Sequence, residues 1–191
     1  MKEQIMSVDD FKRYVPRVKC ISLFHYNLIN AAKLRELCTV RVREPESVDD
    51  LAALRDMLLV WYRDEKGEPV YWDSRGARNI ALADLAAEYA GNPELMNEKM
   101  RDIVRAIREG ALCGAEIICV HDTILDKTMV VDGVYRAVAL YYLYLTDRPA
   151  LDKLAESGCH ISCITLESPA GSLLFPCDFI NISRDARPAG S

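Results

Sequence analysis

The chemistry in this sequence concentrates at residues 130–137, Val-Val-Asp-Gly-Val-Tyr-Arg-Ala. A β-rich run ends in Asp132, Gly133 lets the backbone turn without a Cβ clash, and a helical pattern begins at once. The free N–H groups and positive dipole end of such a helix make an anion site suited to a phosphate. Arg136, in the first helical turn, offers a bidentate grip on a phosphoryl oxygen. Asp132 is suited to holding a metal ion or orienting a nucleophile. The plainer reading is an Asp N-cap on an ordinary Asp-Gly turn.

A second group follows Pro93. Glu94, Glu98, Arg101, Arg105 and Arg108 recur at helical spacing, opposite an apolar stripe of Met96, Met100, Ile103, Val104 and Ile107. Carboxylates near a helix start and arginines near its end complement the macrodipole and pair along a solvated face. The functional alternative makes Glu94 a general base or metal ligand and lets the arginines track a phosphate backbone.

Other candidates have simpler explanations. Cys159 and Cys163 flank His160 in a zinc-like spacing, but no second pair matches it, and small side chains on a strand explain it better. His25 and His121 lie in apolar runs and read as core residues, as do Tyr141, Tyr142 and Tyr144. Trp61, Tyr71 and Trp72 are of a type that stacks on bases, with packing as the ordinary alternative. No Walker-type loop, GxSxG elbow or HExxH helix occurs.

The elements that must position these residues follow from pattern and punctuation. A short helix is expected at 7–14 with Ser7 as N-cap and Asp10 three residues on, a strand at 18–26 and a helix at 31–37. Ser47 should cap a helix over 48–63, whose Leu51, Leu54, Leu58 and Trp61 share a face. Residues 70–72 read as a short strand or edge, and the polar stretch 73–79 as a loop and lobe boundary. A strand at 79–82 and a helix at 83–90 stopped by Gly91 come next, then a long helix opening at Asn92-Pro93-Glu94 and ending at Gly110. Strands at 116–121 and 127–131 precede a helix at 134–145, apolar almost all round and so buried. A helix at 149–157 and a strand at 160–166 follow, and a polar tail from 181 should fray. Strands and helices alternate after residue 79, which points to α/β or α+β layers around a small sheet.

Composition sets the outer bounds. The 191 residues are half hydrophobic and 28% charged, as in a globular protein. The longest apolar run, residues 137–145, falls short of the roughly 18 residues a bilayer span needs. The charged N-terminus lacks a secretory core, so a cytoplasmic location is expected, with the seven cysteines reduced. A protein that simply coats nucleic acid is usually basic overall, whereas the net charge here is −5; DNA contact would need a local basic surface.

The order of these elements resembles the ParB/sulfiredoxin superfamily over residues 79–166. The similarity is carried by Ile80-Ala81-Leu82-Ala83-Asp84-Leu85, by Pro93-Glu94, by Ile107-Arg108-Glu109-Gly110, and by the strand at 116–121. It continues through residues 130–140, where Asp132-Gly133 leads to Arg136 and an Ala/Leu-rich helix, and the strand at 161–166. The resemblance implies an α+β fold, a small mixed sheet with flanking helices, as a nucleotide-binding module. Residues 1–78 would be an N-terminal α/β extension and residues 167–191 a tail.

The resemblance also implies that Asp132, Gly133, Tyr135 and Arg136 bind nucleotide phosphate, with Asp132 toward Mg²⁺. Glu94 and Arg136 would be catalytic. Tyr135 stands where the family commonly has His or Arg, and the sulfiredoxin cysteine is missing from the turn, which argues against sulfinic acid reduction. Partition-type members continue into a helix-turn-helix domain, whereas about 25 residues follow Leu166 here.

An acidic stand-alone chain of this size is similar to plasmid fertility-inhibition factors of the superfamily. That implies ATP hydrolysis and DNase action on DNA in transit through a conjugation-type (type IV) secretion system, with its coupling protein as a possible partner. The alternatives are a kinase of free amino acids or other small molecules, and a non-catalytic inhibitor that binds a secretion protein.

Overall fold

Strand-forming runs rich in β-branched and aromatic residues build the sheet, and apolar stripes at helical spacing bring helices onto it. The computed structural model describes residues 1–7, 10, 39–71, 74–123 and 126–168. Its strands are β1 (Lys2–Met6), β2 (Thr39–Glu44), β3 (Leu58–Arg63), β4 (Pro69–Val70), β5 (Arg78–Ala81), β6 (Gly114–Asp122), β7 (Lys127–Asp132) and β8 (His160–Ser168). Its α-helices are α1 (Leu82–Gly91), α2 (Glu98–Arg108), α3 (Val134–Thr146) and α4 (Arg148–Glu156), with 3₁₀ turns at Val48–Leu54 and Pro93–Leu95.

The strands form one mixed sheet in the order β1-β2-β8-β6-β7-β3-β4, with β5 also paired to β3. β6 runs parallel to β8 and β7 parallel to β3, while β6 and β7 are antiparallel. The fold is α+β, and strands from before and after residue 79 share the sheet.

Alternation sorts the side chains of β6. Ala115, Ile117 and Cys119 join Leu59, Val130 and the apolar faces of α1, α2 and α3 in one core. Ile118 and Val120 are buried outside that cluster, as are Met129, Val131, Ile164, Leu166, Val40 and Val42. Helix α3 buries Val134, Ala137 through Leu143 and leaves Tyr135 and Arg136 half-exposed, as its apolar circumference predicts.

Three expectations are corrected. The helix over 48–63 is instead a 3₁₀ turn followed by β3. Leu51 and Leu54 are buried as expected, but Leu58-Leu59-Val60-Trp61-Tyr62-Arg63 is a β-rich run that pairs with β5 and β7. Gly91 does not stop α1 in the left-handed region; it is the last helical residue, and Asn92 follows as the C-cap.

The long helix does not begin at Pro93. Met96 leaves the helical region with ψ 131°, and Asn97 starts α2 by accepting from the Met100 N–H at 2.9 Å. Glu94 therefore lies on the preceding 3₁₀ turn, off the α2 face that holds the arginines.

Strand β1, made of Lys-Glu-Gln-Ile-Met, has no counterpart among the expected elements. At the start of the expected 7–14 helix, the Asp10 N–H donates to Ser7 Oγ at 3.0 Å and the Ser7 hydroxyl donates to Asp10 Oδ2 at 2.6 Å. The rest of that helix, the strand at 18–26, the helix at 31–37, Trp72 and the tail from 169 lie outside the described residues.

Candidate functional site

Burial of Met129, Val130 and Val131 between β6 and β3 brings Asp132 to the end of an interior strand. Gly133 then turns the chain with φ 74° and ψ 18° and serves as the N-cap of α3. Among the described residues no side chain caps this helix, so its first-turn N–H groups lack the usual Ser, Thr, Asp or Asn acceptor there. Asp132 precedes the cap and does not fill that role, which removes the plain N-cap reading of the motif.

Arg136 folds back over the turn. Its Nη2 stands 3.8 Å from Asp132 Oδ2, an ion pair beyond hydrogen-bond distance. The Arg136 side chain keeps a third of its surface exposed and that of Asp132 a fifth. A pair of this kind is worth about 0–1 kcal/mol, so it leaves the guanidinium free to exchange partners.

Tyr135 points into a different neighbourhood. Its hydroxyl accepts from Asn97 Nδ2 at 3.2 Å, and its ring meets the Trp61 ring edge-on at 5.0 Å between centroids. Lys99 Nζ lies 4.3 Å from the Tyr135 ring centroid, a cation–π contact. The β3 neighbour of this cluster, Arg63, binds Glu88 on α1 at 2.7 Å. Burial pushes the Tyr89 hydroxyl pKa up, with Glu88 and Tyr135 adding to the shift and Arg63 opposing it. Thus β3, α1, the start of α2 and α3 converge on Tyr135.

The structure brings Asp132, Gly133 and Arg136 together at one strand-to-helix junction, whereas the Tyr135 side chain leaves it for Trp61, Asn97 and Lys99. Glu94 is exposed, and among the described residues no hydrogen bond or ion pair joins it to Asp132, Tyr135 or Arg136. Its own N–H donates to Asn92 Oδ1 at 3.2 Å. The α2 arginines are exposed and engaged: Arg101 donates to the Met96 carbonyl, Arg105 pairs with Asp102 at 3.2 Å and Arg108 with Asp147 at 2.9 Å.

Sequence reasoning missed Asn97 and Lys99 as neighbours of Tyr135. The Asn-Glu pair at 97–98 is a recognisable helix start, and it was the usable signal.

A cavity of about 270 Å³ opens elsewhere, lined in part by Ile117, His121, Thr128, Ile161, Cys163 and Thr165; Asp132, Gly133 and Arg136 do not line it. His121 Nδ1 lies 3.0 Å from Thr128 Oγ1, and its Nε2 lies 3.8 Å from Asp126. A hydrogen bond with Cys163 and burial together push the Cys119 thiol pKa up. Among the described residues, no three His, Cys, Asp or Glu side chains converge as a metal cluster, and no helix is long and apolar enough to cross a membrane.

No family model, no curated protein and no solved structure matches this chain.

Proposed function

We propose that the chain is a ParB/sulfiredoxin-like ATP-binding hydrolase with DNase activity, and that nucleotide phosphate seats at the Gly133 turn. The observation that carries this reading is the uncapped α3 N-terminus with a loosely paired, part-exposed Arg136 in its first turn. Preorganised N–H groups and a guanidinium stabilise charge that develops on a phosphoryl group. Gly133 is wedged against β6, which makes the turn rigid.

In this mechanism Arg136 releases Asp132 and turns to the phosphate. Asp132 fits a Mg²⁺ ion arriving with ATP, since Mg²⁺ is usually held by one or two carboxylates together with substrate phosphates. Such an ion would neutralise charge on the phosphates. Glu94, exposed on its 3₁₀ turn, would activate the attacking water. The exposed arginines of α2 would supply the local basic surface that DNA contact requires of a chain with net charge −5. In a cytoplasmic setting this chemistry suits a plasmid fertility-inhibition factor acting on DNA in a type IV secretion system.

A non-catalytic inhibitor that docks on a coupling protein is the second reading. It is favoured by the lack of any link between Glu94 and Arg136 among the described residues. A small-molecule kinase on the same scaffold would keep the phosphate seat and use a different acceptor.

The test is ATP turnover and DNA cleavage with Mg²⁺ for wild type, Arg136→Ala and Glu94→Ala, with folding checked by circular dichroism. Each substitution should lower turnover by roughly 10²-fold or more. Wild-type turnover in both variants would overturn the assignment. Inhibition of DNA transfer that survives both changes would select the non-catalytic reading, and label transfer from ATP to free amino acids would select the kinase.

A further inference from the structure

Two helix-to-strand connections lie side by side and have the same design. Helix α2 ends at Arg108, Gly110 turns the chain at φ 66°, and β6 begins at Gly114. Helix α4 ends at Glu156, Gly158 turns the chain at φ 76°, and β8 begins at His160. In each, the residue just before the strand is a cysteine, Cys113 in one and Cys159 in the other.

The fold holds these cysteines next to each other. β6 and β8 are parallel with Gly114 in register with His160, so Cys113 and Cys159 stand one step ahead of that pair. Adjacent strands lie about 5 Å apart, inside the Cα separation of about 4.4–6.8 Å that a disulfide spans. The turns themselves meet: a Cβ on Gly110 would lie 3.7 Å from the Cβ of Ser157, and Lys153 Nζ donates to the Arg108 carbonyl at 3.3 Å.

Cys113 is exposed, and Cys159 is half-buried and lines a cavity of about 150 Å³ with Ala155 and His160. Cys119, by contrast, is fully buried.

We propose that Cys113 and Cys159 form a dithiol modification site that exchanges with low-molecular-weight disulfides such as oxidised glutathione and closes into a disulfide between β6 and β8. The Cys113 thiolate attacks one sulfur of the external disulfide; that S–S bond breaks and one glutathione thiol leaves. Cys159 gives up its proton and its sulfur attacks Cys113, displacing the second glutathione as a thiolate that takes up a proton. Two cysteine S–H groups are oxidised to one S–S bond, and one external disulfide is reduced to two thiols. Burial, and next the adjacent Cys113, push the Cys159 thiol up, which fits Cys113 as the attacking sulfur and Cys159 as the resolving one. The site rests on the fold and is independent of the nucleotide reading.

The experiment uses the full reduced chain. It is incubated with oxidised glutathione, free thiols are blocked with N-ethylmaleimide, and unreduced peptides are mapped by mass spectrometry. The expected product is a Cys113–Cys159 linked peptide that dithiothreitol dissolves. Cys159→Ser should lose that peptide and retain glutathione on Cys113. Phenylarsine oxide, a dithiol probe, should protect both cysteines of the unmutated chain from N-ethylmaleimide together. The proposal is overturned if Cys113 keeps glutathione in the unmutated chain, if it links to another cysteine, or if the arsenical protects one cysteine without the other.

Discussion

Gly133 packs directly on the backbone of Glu116. A Cβ on residue 133 would lie 2.5 Å from the Glu116 carbonyl oxygen and 3.2 Å from the Ile117 Cα. Both neighbours are main chain of β6, so neither can move aside as a flexible side chain would. The same residue has φ 74°, a region that disfavours a side chain. Conformation and space therefore each require glycine at the point where the interior strand hands over to α3.

Gly133→Ala should destabilise the fold by about 2 kcal/mol or more, from left-handed strain together with the clash. In urea the midpoint should fall with an unchanged slope. A loss below about 0.5 kcal/mol would show that β6 yields more readily than this packing implies.

Tyr135 separates ring from hydroxyl. Tyr135→Phe removes the acceptor for Asn97 Nδ2 but keeps the Trp61 and Lys99 contacts, so it should cost about 1 kcal/mol at most. Tyr135→Ala removes all three contacts and should cost about 2 kcal/mol. In a Trp72→Phe background, Trp61 emission should shift to the red for the alanine variant and stay in place for the phenylalanine one.

Core and surface should respond unequally. Leu140 on α3 is fully buried, so Leu140→Ala should cost about 2–5 kcal/mol. Arg105 is exposed and paired with Asp102, so Arg105→Ala should stay within about 0.5 kcal/mol. Paired denaturation curves check both.

Acid should loosen the first strand pairing. Glu3 accepts from Arg43 Nε at 2.7 Å and Arg41 Nη1 at 2.6 Å, and these guanidiniums hold its carboxyl below the ordinary 4.5. A depressed folded-state value contributes stability that is fully present above pH 4.5 and is lost as pH falls through the lower folded value. Melting temperatures of wild type and Glu3→Gln should therefore differ most above pH 4.5 and converge in acid. High salt should shrink the difference, because the group is at the surface. A gap that widens in acid would contradict the pairing.

Local signals carried most of the second half of the chain. The β7–Gly133–α3 junction was legible because every part of it is local: a β-rich run, an Asp-Gly turn and a helix apolar on nearly all sides. The stripe through Met100, Val104 and Ile107 located α2, and Gly110 its end. Its start differs from the local pattern because Pro93 and Glu94 suit a helix opening, whereas Asn97 caps the helix four residues after that proline.

Residues 48–63 failed for a different reason. Leu51, Leu54, Leu58 and Trp61 fit a helical face, and that spacing also fits a 3₁₀ turn leading into a strand. The β-rich run Leu58–Arg63 and its partners, which come from residues 69–81 and 129–130, favour the strand. β1 is mostly polar and has no periodic signal; its place is set by pairing with β2, where Ile5 opposes Arg41.

Residues adjacent in the chain set the Gly133 turn and the buried α3 helix, since both depend on local pattern. Tertiary structure decided which distant residues meet: Trp61 and Asn97 at Tyr135, Glu116 beneath Gly133, and Cys113 beside Cys159. Sheet order and register supply those meetings. They depend on pairing between segments far apart in the chain, which no local window of residues encodes.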